Sequence, residues 1–274
     1  MATLVQCLTT LLPKQLVLWL KSVRDRRRFR KIGLVIRKYD GRLQRFGTEY
    51  GGYVVPLGEL EPGDICYCFG AGEDVSLEID LATAIPVQVH IFDPTPRAIE
   101  HVERLQIQAP AEVASRVHMH PWGAWSQDCA MQFFAPQDPS HVSHSILNMQ
   151  KTNSSFIAEC RRPDTMMREL DHIRVKLVKL NIEGAEYEVI RTLFEESIFP
   201  AAICINFDEL HTHIDGKATE RLRNLIEQFV EAGYIAVSAE QCRATFVRRP
   251  MDDSYDTLVL ASHKESHTEN ARSS

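Results

Sequence analysis

Residues 65–74 read Ile-Cys-Tyr-Cys-Phe-Gly-Ala-Gly-Glu-Asp, a short apolar run that ends in a glycine-rich turn. A helical pattern follows over Asp74–Ala84. A strand, a tight turn and a helix form the repeating unit of a parallel sheet covered by helices. Gly70 and Gly72 allow a tight turn and the close approach of a ligand to the main chain, because neither carries a Cβ.

The same alternation of short apolar and longer amphipathic runs continues along the chain, and it predicts an α/β fold. Strands are expected at Ile65–Phe69, Val87–Phe92, Val117–His120, Val175–Leu180, Ile203–Phe207 and Tyr234–Ser238. Further helices are expected at Pro96–Gln106, Ala185–Glu196 and Ala218–Ala232. Two later runs, Ala244–Arg248 and Thr257–Ala261, predict an antiparallel pair that closes one edge of the sheet.

The first 45 residues differ from the rest and are interpreted as a helical extension. Residues 21–45 carry a net charge of +9 in a chain of net charge −6, which leaves −15 elsewhere. This segment is expected to dock on the acidic body or to meet an anionic surface. Apolar residues recur before it at helical spacing, which predicts an amphipathic helix that packs on the domain, on a second copy in a homodimer or on a membrane surface. Those residues are Leu12, Leu16, Trp19, Leu20 and Val23.

Composition excludes several classes of protein. No apolar run is long enough to span a bilayer, and no secretory signal is expected, since the basic residues follow the first apolar run. Seven cysteines without a C-x-x-C pair indicate a reducing, cytoplasmic compartment, with Cys66 and Cys68 as core thiols. The main domain is expected over 46–261. It contains an insertion at 123–172, which includes a strand at Met131–Phe134 and is expected to bind the substrate that accepts the transferred group. A disordered tail is expected over 262–274.

The charge of the glycine turn indicates its ligand. No third glycine stands at the G-x-x-G spacing, where Val75 lies, so the dinucleotide fingerprint is incomplete. Glu73 and Asp74 would repel phosphates. An acidic turn suits a cationic ligand, and S-adenosylmethionine carries a sulfonium and an ammonium group.

Two features downstream fit an adenosine. Asp93 follows the second strand, where nucleotide-binding sheets hold a ribose diol; its alternative role is to cap the helix near Pro96, for which Thr95 is better placed. After the third strand, Trp122 and Trp125 offer aromatic surface for adenine, although one of them belongs to the core on this interpretation.

The block Lys179-Leu180-Asn181-Ile182-Glu183-Gly184-Ala185-Glu186 resembles the K-x-D-I-E-G-A-E signature of the FkbM-type methyltransferases. The resemblance runs from about Thr48 to Leu260 and includes Thr48–Tyr53, Phe69–Asp74, Phe92–Pro96 and Phe207–His211. It implies a Rossmann-like class I methyltransferase fold, with a seven-stranded, mostly parallel sheet and an antiparallel edge strand. It also implies S-adenosylmethionine as cofactor and methylation of hydroxyls on sugars, glycoconjugates or natural products.

The candidate site residues follow from these patterns. Asn181 stands where the family more often has Asp, and Cys68 where many relatives have an acidic residue. No metal is expected, since an amide is a weak metal ligand. The predicted cofactor-binding residues are Gly70, Ala71, Gly72, Glu73, Asp93, Pro94, Trp122, Gly123 and Asn181.

Transfer to a hydroxyl requires a base. The candidate bases follow the fourth and fifth strands and are Glu183, Asp208 and His211. Glu183 could instead cap a helix. His211 could instead be a surface loop residue without a role in catalysis. The predicted acceptor-binding residues of the insertion are His141, His144 and Asn148, near Ser145.

Two other functions remain open from the sequence. The chain could methylate protein or nucleic acid and grip it with the basic segment Arg24–Arg45, although the acidic body makes a nucleic-acid partner unexpected. Alternatively, with Asn181 in place of Asp, it could bind the cofactor without catalysis. A small-molecule or glycan acceptor is the favoured partner.

Overall fold

The computed structural model describes residues 23–25, 27–137, 144–146, 152–210 and 215–249. The apolar positions from Leu12 to Leu20, the expected strand Thr257–Ala261 and the tail 262–274 lie outside the described residues. So do three of the predicted site residues, which are His141, Asn148 and His211.

The described chain alternates strands and helices. The strands are β1 (Leu43–Phe46), β2 (Tyr53–Pro56), β3 (Ile65–Phe69), β4 (Gln88–Phe92), β5 (Val117–His120), β6 (Gly123–Ala124), β7 (Cys129–Phe134), β8 (Ser155–Arg161), β9 (Leu177–Leu180), β10 (Ala202–Asn206), β11 (Tyr234–Glu240) and β12 (Arg243–Arg248). The α-helices are α1 (Ser76–Ala84), α2 (Pro96–Gln108), α3 (Ala111–Ala114), α4 (Pro163–Glu169), α5 (Glu186–Glu195) and α6 (Ala218–Glu231). Residues 27–31 are also helical.

The central sheet has seven strands in the order β11-β12-β10-β9-β3-β4-β5. Strands β10, β9, β3, β4 and β5 pair in parallel, and β12 pairs antiparallel with both of its neighbours. The expected α/β fold with a mostly parallel sheet is confirmed. The antiparallel strand lies one place in from the edge, not at the edge as expected, because β11 adds on its outer side through a tight hairpin in which Gln241 has a φ of +56°.

The two faces of the sheet bury different side chains because successive residues of a strand point in opposite directions. In β3, Cys66 and Cys68 face one apolar core together with residues of α1 and α2. Tyr67 and Phe69 face the other core, which includes residues of α5 and α6. Both cysteines are fully buried and have free thiols, as expected.

The insertion contains more regular structure than the sequence predicts. Strands β6, β8 and β7 form a separate three-stranded sheet, of which only the Met131–Phe134 part of β7 was expected. Strand β8 has exposed or half-exposed side chains over most of its length, so it lacks a buried apolar run. Strands β1 and β2 are four residues each, and such short elements carry little periodic signal.

Part of the basic segment docks on the body of the domain. Ile36 forms a parallel bridge with Ala236 of β11, and the Asp25 carboxylate accepts a hydrogen bond from the Gln241 amide at 3.0 Å. Phe29 is buried in the core. None of the described helices has both the length and the apolar character needed to cross a bilayer.

Candidate active site

The turn after β3 requires glycine at its first position. Gly70 has a φ of +84°, and a Cβ built there would lie 2.0 Å from the backbone oxygen of Asn181. Its amide donates to the Phe92 oxygen at 2.9 Å, which ties the turn to the end of β4. The turn therefore lies close against the ends of two neighbouring strands.

Asp93 organises this turn through its carboxylate. Its Oδ2 atom accepts hydrogen bonds from the amides of Ala71 at 2.9 Å and Gly72 at 3.1 Å, and its Oδ1 atom accepts from Thr95 at 2.8 Å. The side chain is buried. Each carboxylate oxygen has two lone pairs, so Oδ1 retains acceptor capacity toward a ligand. Asp93 thus orders both the glycine turn and the chain that enters α2.

A cleft with an empty volume of about 780 Å³ opens at this edge of the sheet. Most of the predicted cofactor-binding residues line it, namely Gly70, Ala71, Gly72, Glu73, Asp93, Pro94, Gly123 and Asn181. Trp122 does not belong to this lining. Its ring stacks on His120 at 5.2 Å between centroids, and the Arg161 guanidinium lies 3.9 Å from the ring centre. The structure therefore places Trp122 in a packed cluster beside the cleft.

Other residues, for which no role was predicted, also line the cleft. They include Tyr50, Gly51, Phe92, Phe133, Ile146 and Lys179. Tyr50 belongs to the Thr48–Tyr53 motif, so its match to the family was a usable signal. Phe133 and Ile146 come from the insertion, and only the tertiary structure brings them to the cleft.

The loop that carries Tyr50 is fixed by charged side chains. The buried Arg243 guanidinium donates to the backbone oxygens of Glu49 at 2.9 Å, Tyr50 at 2.9 Å and Gly52 at 2.6 Å. The Thr48 hydroxyl donates to the Asp74 carboxylate. These contacts hold a 75% exposed aromatic side chain at the mouth of the cleft.

Glu183 follows β9 and lies in the loop before α5. It has a φ of +53°, and its backbone oxygen accepts a hydrogen bond from the Ser145 hydroxyl at 2.8 Å. The neighbouring Glu186 carboxylate accepts from the amides of Ile182 at 2.7 Å and Gly184 at 2.8 Å, which ties the loop after β9 to the first residue of α5. Glu183 is part of the cleft lining.

Asp208 is buried near these residues and is not part of the cleft lining. The Asn206 amide nitrogen donates to Asp208 Oδ1 at 2.5 Å and to Asn181 Oδ1 at 2.8 Å, so it links the buried carboxylate to the cleft. Burial raises the pKa of Asp208 well above its ordinary value, and the negative charges of Glu186 and Glu183 raise it further. Burial also raises the pKa of Glu186, to about 7.

The described part of the insertion contributes one predicted acceptor-binding residue to the cleft. His144 lines it and packs edge-on against Phe156 at 5.3 Å between ring centroids. Among the described residues, no group of three or more metal-ligating side chains is arranged to hold a metal ion.

A family model described as the methyltransferase FkbM domain matches residues 73–236, which is more than half of the chain. The chain belongs to this family. Membership in the methyltransferase FkbM family confirms the resemblance drawn from the Lys179–Glu186 block, and with the observed strand order it confirms the class I methyltransferase fold. Among curated proteins, none matches the chain.

Several solved structures are similar to this FkbM domain at low sequence identity. A precorrin-6y C5,15-methyltransferase from Geobacter metallireducens is 13% identical, with 70% of this chain and 84% of that chain covered and a TM-score of 0.39. A fibrillarin pre-rRNA processing protein from Methanococcus jannaschii is 10% identical, with 78% and 86% covered and a TM-score of 0.40. The METTL16 methyltransferase domain is 12% identical, with 81% and 76% covered and a TM-score of 0.41. Likeness at this level carries no information about the substrate of this chain.

The family implies S-adenosylmethionine as cofactor, and the cleft has properties that fit it. The acidic residues Asp74 and Asp93 belong to the lining and suit a ligand with sulfonium and ammonium groups, whereas the Glu73 carboxylate is paired with Arg97 at 2.9 Å. Asp93 would hold the ribose with its remaining lone pairs, and the glycine turn would approach the rest of the ligand.

Proposed function

We propose that this methyltransferase transfers the methyl group of S-adenosylmethionine to a hydroxyl oxygen of a small acceptor, such as a sugar, a glycoconjugate or a natural product. One observation carries the proposal. The glycine turn with Asp93 and the candidate base Glu183 line the same cleft, at the sheet edge where open α/β sheets bind ligands. The preference for a hydroxyl acceptor follows the family resemblance.

The residues at the acceptor end support transfer to oxygen. S-adenosylmethionine supplies an electrophilic methyl group when it is bound. A hydroxyl becomes a good nucleophile only as its proton leaves, so a base must lie within hydrogen-bond reach. Glu183 would take that proton on its carboxylate. The Asn181 amide, held by Asn206, would orient a ligand by hydrogen bonds without taking a proton.

Apolar side chains from three separate segments surround the acceptor end. Tyr50 comes from the loop before β2, Phe133 from β7 and Ile146 from the insertion. Side chains of this kind exclude water from a bound acceptor, and they offer flat or aliphatic surface for a ring-shaped molecule. Exclusion of water also strengthens the interaction between a base and a hydroxyl.

The charge of the cleft favours an uncharged or cationic acceptor over a nucleic acid. Four carboxylate residues line it, namely Glu73, Asp74, Asp93 and Glu183, whereas Lys179 is a buried ammonium. A phosphate backbone would be repelled at this edge. None of the described residues of the basic segment contributes to the lining.

The function is tested in two steps. Calorimetric titration with S-adenosylmethionine and S-adenosylhomocysteine measures cofactor binding, and transfer of a radiolabelled methyl group to a panel of glycosides, polyketides and RNA measures the reaction. We expect binding, followed by labelling of a hydroxyl-bearing small molecule. Labelling of RNA alone would contradict the proposed acceptor class. Binding without transfer to any acceptor would support a cofactor-binding scaffold instead.

A further inference from the structure

Two charged side chains are buried directly beneath the glycine turn. Lys179 in β9 is 3% exposed and Glu78 in α1 is 1% exposed, with 3.3 Å between Nζ and Oε1. Burial of an ion pair costs solvation free energy, and replacing such a pair by apolar residues of similar volume is often neutral or stabilising. A contribution to folding stability therefore does little to explain why these two charged residues are buried together.

Lys179 of this pair is in contact with the glycine turn, at a residue that lines the cleft. Lys179 Nζ donates a hydrogen bond to the backbone oxygen of Gly70. On the other side of the same turn, the Asp93 carboxylate accepts from the amides of Ala71 and Gly72. An ammonium thus holds the carbonyl of the turn while a carboxylate holds its amides, and together they fix the direction of its peptide planes.

Glu78 acts on Lys179 through its charge. Neither Glu78 oxygen has a hydrogen-bond partner among the described residues. Burial alone would lower the pKa of Lys179, but the nearby Glu78 carboxylate, with smaller contributions from Cys68 and Asp93, outweighs burial, and the pKa lies above its ordinary value. Lys179 therefore remains an ammonium at neutral pH, and it keeps its proton for the Gly70 carbonyl.

We propose that Lys179 and Glu78 are positioning residues, which hold the glycine turn in the orientation that the cofactor requires. Lys179 acts through the Gly70 carbonyl, and Glu78 acts by keeping the Lys179 ammonium in place. The proposal rests on the assignment of S-adenosylmethionine to the cleft, and the parent protein tests that assignment separately.

The experiment compares cofactor affinity with stability. The variants are Lys179→Met, Glu78→Gln and the double variant Lys179→Met/Glu78→Leu. Affinity for S-adenosylhomocysteine is measured by calorimetry, and the free energy of unfolding by urea titration. Neither measurement depends on an acceptor or on turnover.

Lys176 provides a matched control at the other end of the strand. It precedes β9, its Nζ donates to the Glu59 backbone oxygen at 3.2 Å, and it lies 3.9 Å from the Asp64 carboxylate. Lys176→Met therefore removes the same kind of contact from the same region of the chain, but away from the cleft. We expect it to leave the affinity for S-adenosylhomocysteine unchanged.

If Lys179 and Glu78 position the turn, the affinity for S-adenosylhomocysteine and the free energy of unfolding should not change together. Lys179→Met should weaken S-adenosylhomocysteine binding about tenfold, the effect of one lost charge-assisted hydrogen bond. The double variant should regain stability, since no unpaired charge remains, but its affinity should stay low. Recovery of the parent affinity together with stability in the double variant would overturn the proposal, because the pair would then serve folding alone.

Two further results keep the test decisive. If the double variant does not fold, Glu78→Gln carries the test, since it keeps the side-chain volume: weaker binding supports the proposal and parent affinity overturns it. If the parent itself does not bind S-adenosylhomocysteine, the assignment of the cofactor fails. The ratio between variant and parent affinity tests the positioning role alone.

Discussion

The two ends of the cleft are built in different ways. At the end proposed for the cofactor, the turn of Gly70–Asp74 and the side chain of Asp93 follow two neighbouring strands, and the Asp93 carboxylate accepts from backbone amides of the turn. At the end proposed for the acceptor, Tyr50, Phe133 and Glu183 come from segments far apart in the sequence. The cofactor end is therefore set by local geometry and strand order, whereas the acceptor end depends on long-range packing.

The largest expected effect concerns the acceptor end. Glu183→Gln keeps the shape of the side chain but removes its ability to take a proton. We expect methyl transfer to slow by about 10²–10⁴-fold, the usual contribution of a general base, while the affinity for S-adenosylhomocysteine changes by less than about twofold. Transfer rates on the acceptor found in the panel, with calorimetry beside them, measure both. A variant as fast as the parent would show that Glu183 is not the base.

Asp93→Ala tests the end proposed for the cofactor, where the expected effect is on cofactor affinity. It leaves the amides of Ala71, Gly72 and Thr95 without their buried acceptor, and it removes the carboxylate expected on the ribose. Affinity for S-adenosylhomocysteine should fall at least about a hundredfold, since hydrogen bonds to charged groups are worth about 1.5–3 kcal/mol each. Calorimetry on Asp93→Ala and on the milder Asp93→Asn measures the loss. Parent-like affinity in Asp93→Ala would remove the ribose assignment.

Among the described residues, those predicted to bind the cofactor line the cleft more completely than those predicted as bases, since Asp208 is not part of the lining. Strand β3 has the bounds expected from its apolar run, and Gly70, Gly72 and Asp93 lie together because strand adjacency places them there. Trp122 shows the limit of this reasoning, since its packing against Arg161 depends on a strand that the pattern did not reveal.

At the acceptor end, the sequence identified residue types but not their partners. Glu186 accepts hydrogen bonds from the amides of Ile182 and Gly184, and Asn206 connects Asn181 with Asp208. These contacts depend on side-chain directions in adjacent loops, which spacing along the chain does not determine. The roles of His141, Asn148 and His211 stay predictions.

Gly70→Ala examines how tightly the turn is constrained. The new Cβ would lie 2.0 Å from the Asn181 oxygen, and a φ of +84° is strained for alanine. We expect a loss of about 3–5 kcal/mol in the free energy of unfolding, measured by urea titration. Gly63→Ala is the control, because Gly63 has a φ of +88° with open space around its Cβ position. It should cost only about 1 kcal/mol. Equal losses in the two variants would contradict the close approach at Gly70.

The smallest effect is the pH dependence of stability that the buried Glu186 carboxyl contributes. Burial raises the pKa of Glu186 from 4.5 to about 7, so the folded protein binds this proton more tightly than the unfolded chain. The stability that Glu186 contributes by holding this proton is fully present below about pH 4.5 and is lost as the pH rises through about 7. Between pH 5 and pH 8, it should amount to on the order of 2 kcal/mol.

Glu186→Gln should remove this part of the pH dependence. Urea titrations of the parent and the variant at several pH values between 5 and 8 measure it, and the variant curve should be flatter over that range. The same slope in both proteins would show that Glu186 does not carry the buried proton.

The most direct test of a single cleft with two ends is a crystal structure of the protein with S-adenosylhomocysteine. We predict that the ribose hydroxyls lie on the Asp93 carboxylate and that the homocysteine sulfur faces the side of the cleft formed by Asn181 and Glu183. A nucleoside bound at another site, or with its ribose away from Asp93, would contradict the account.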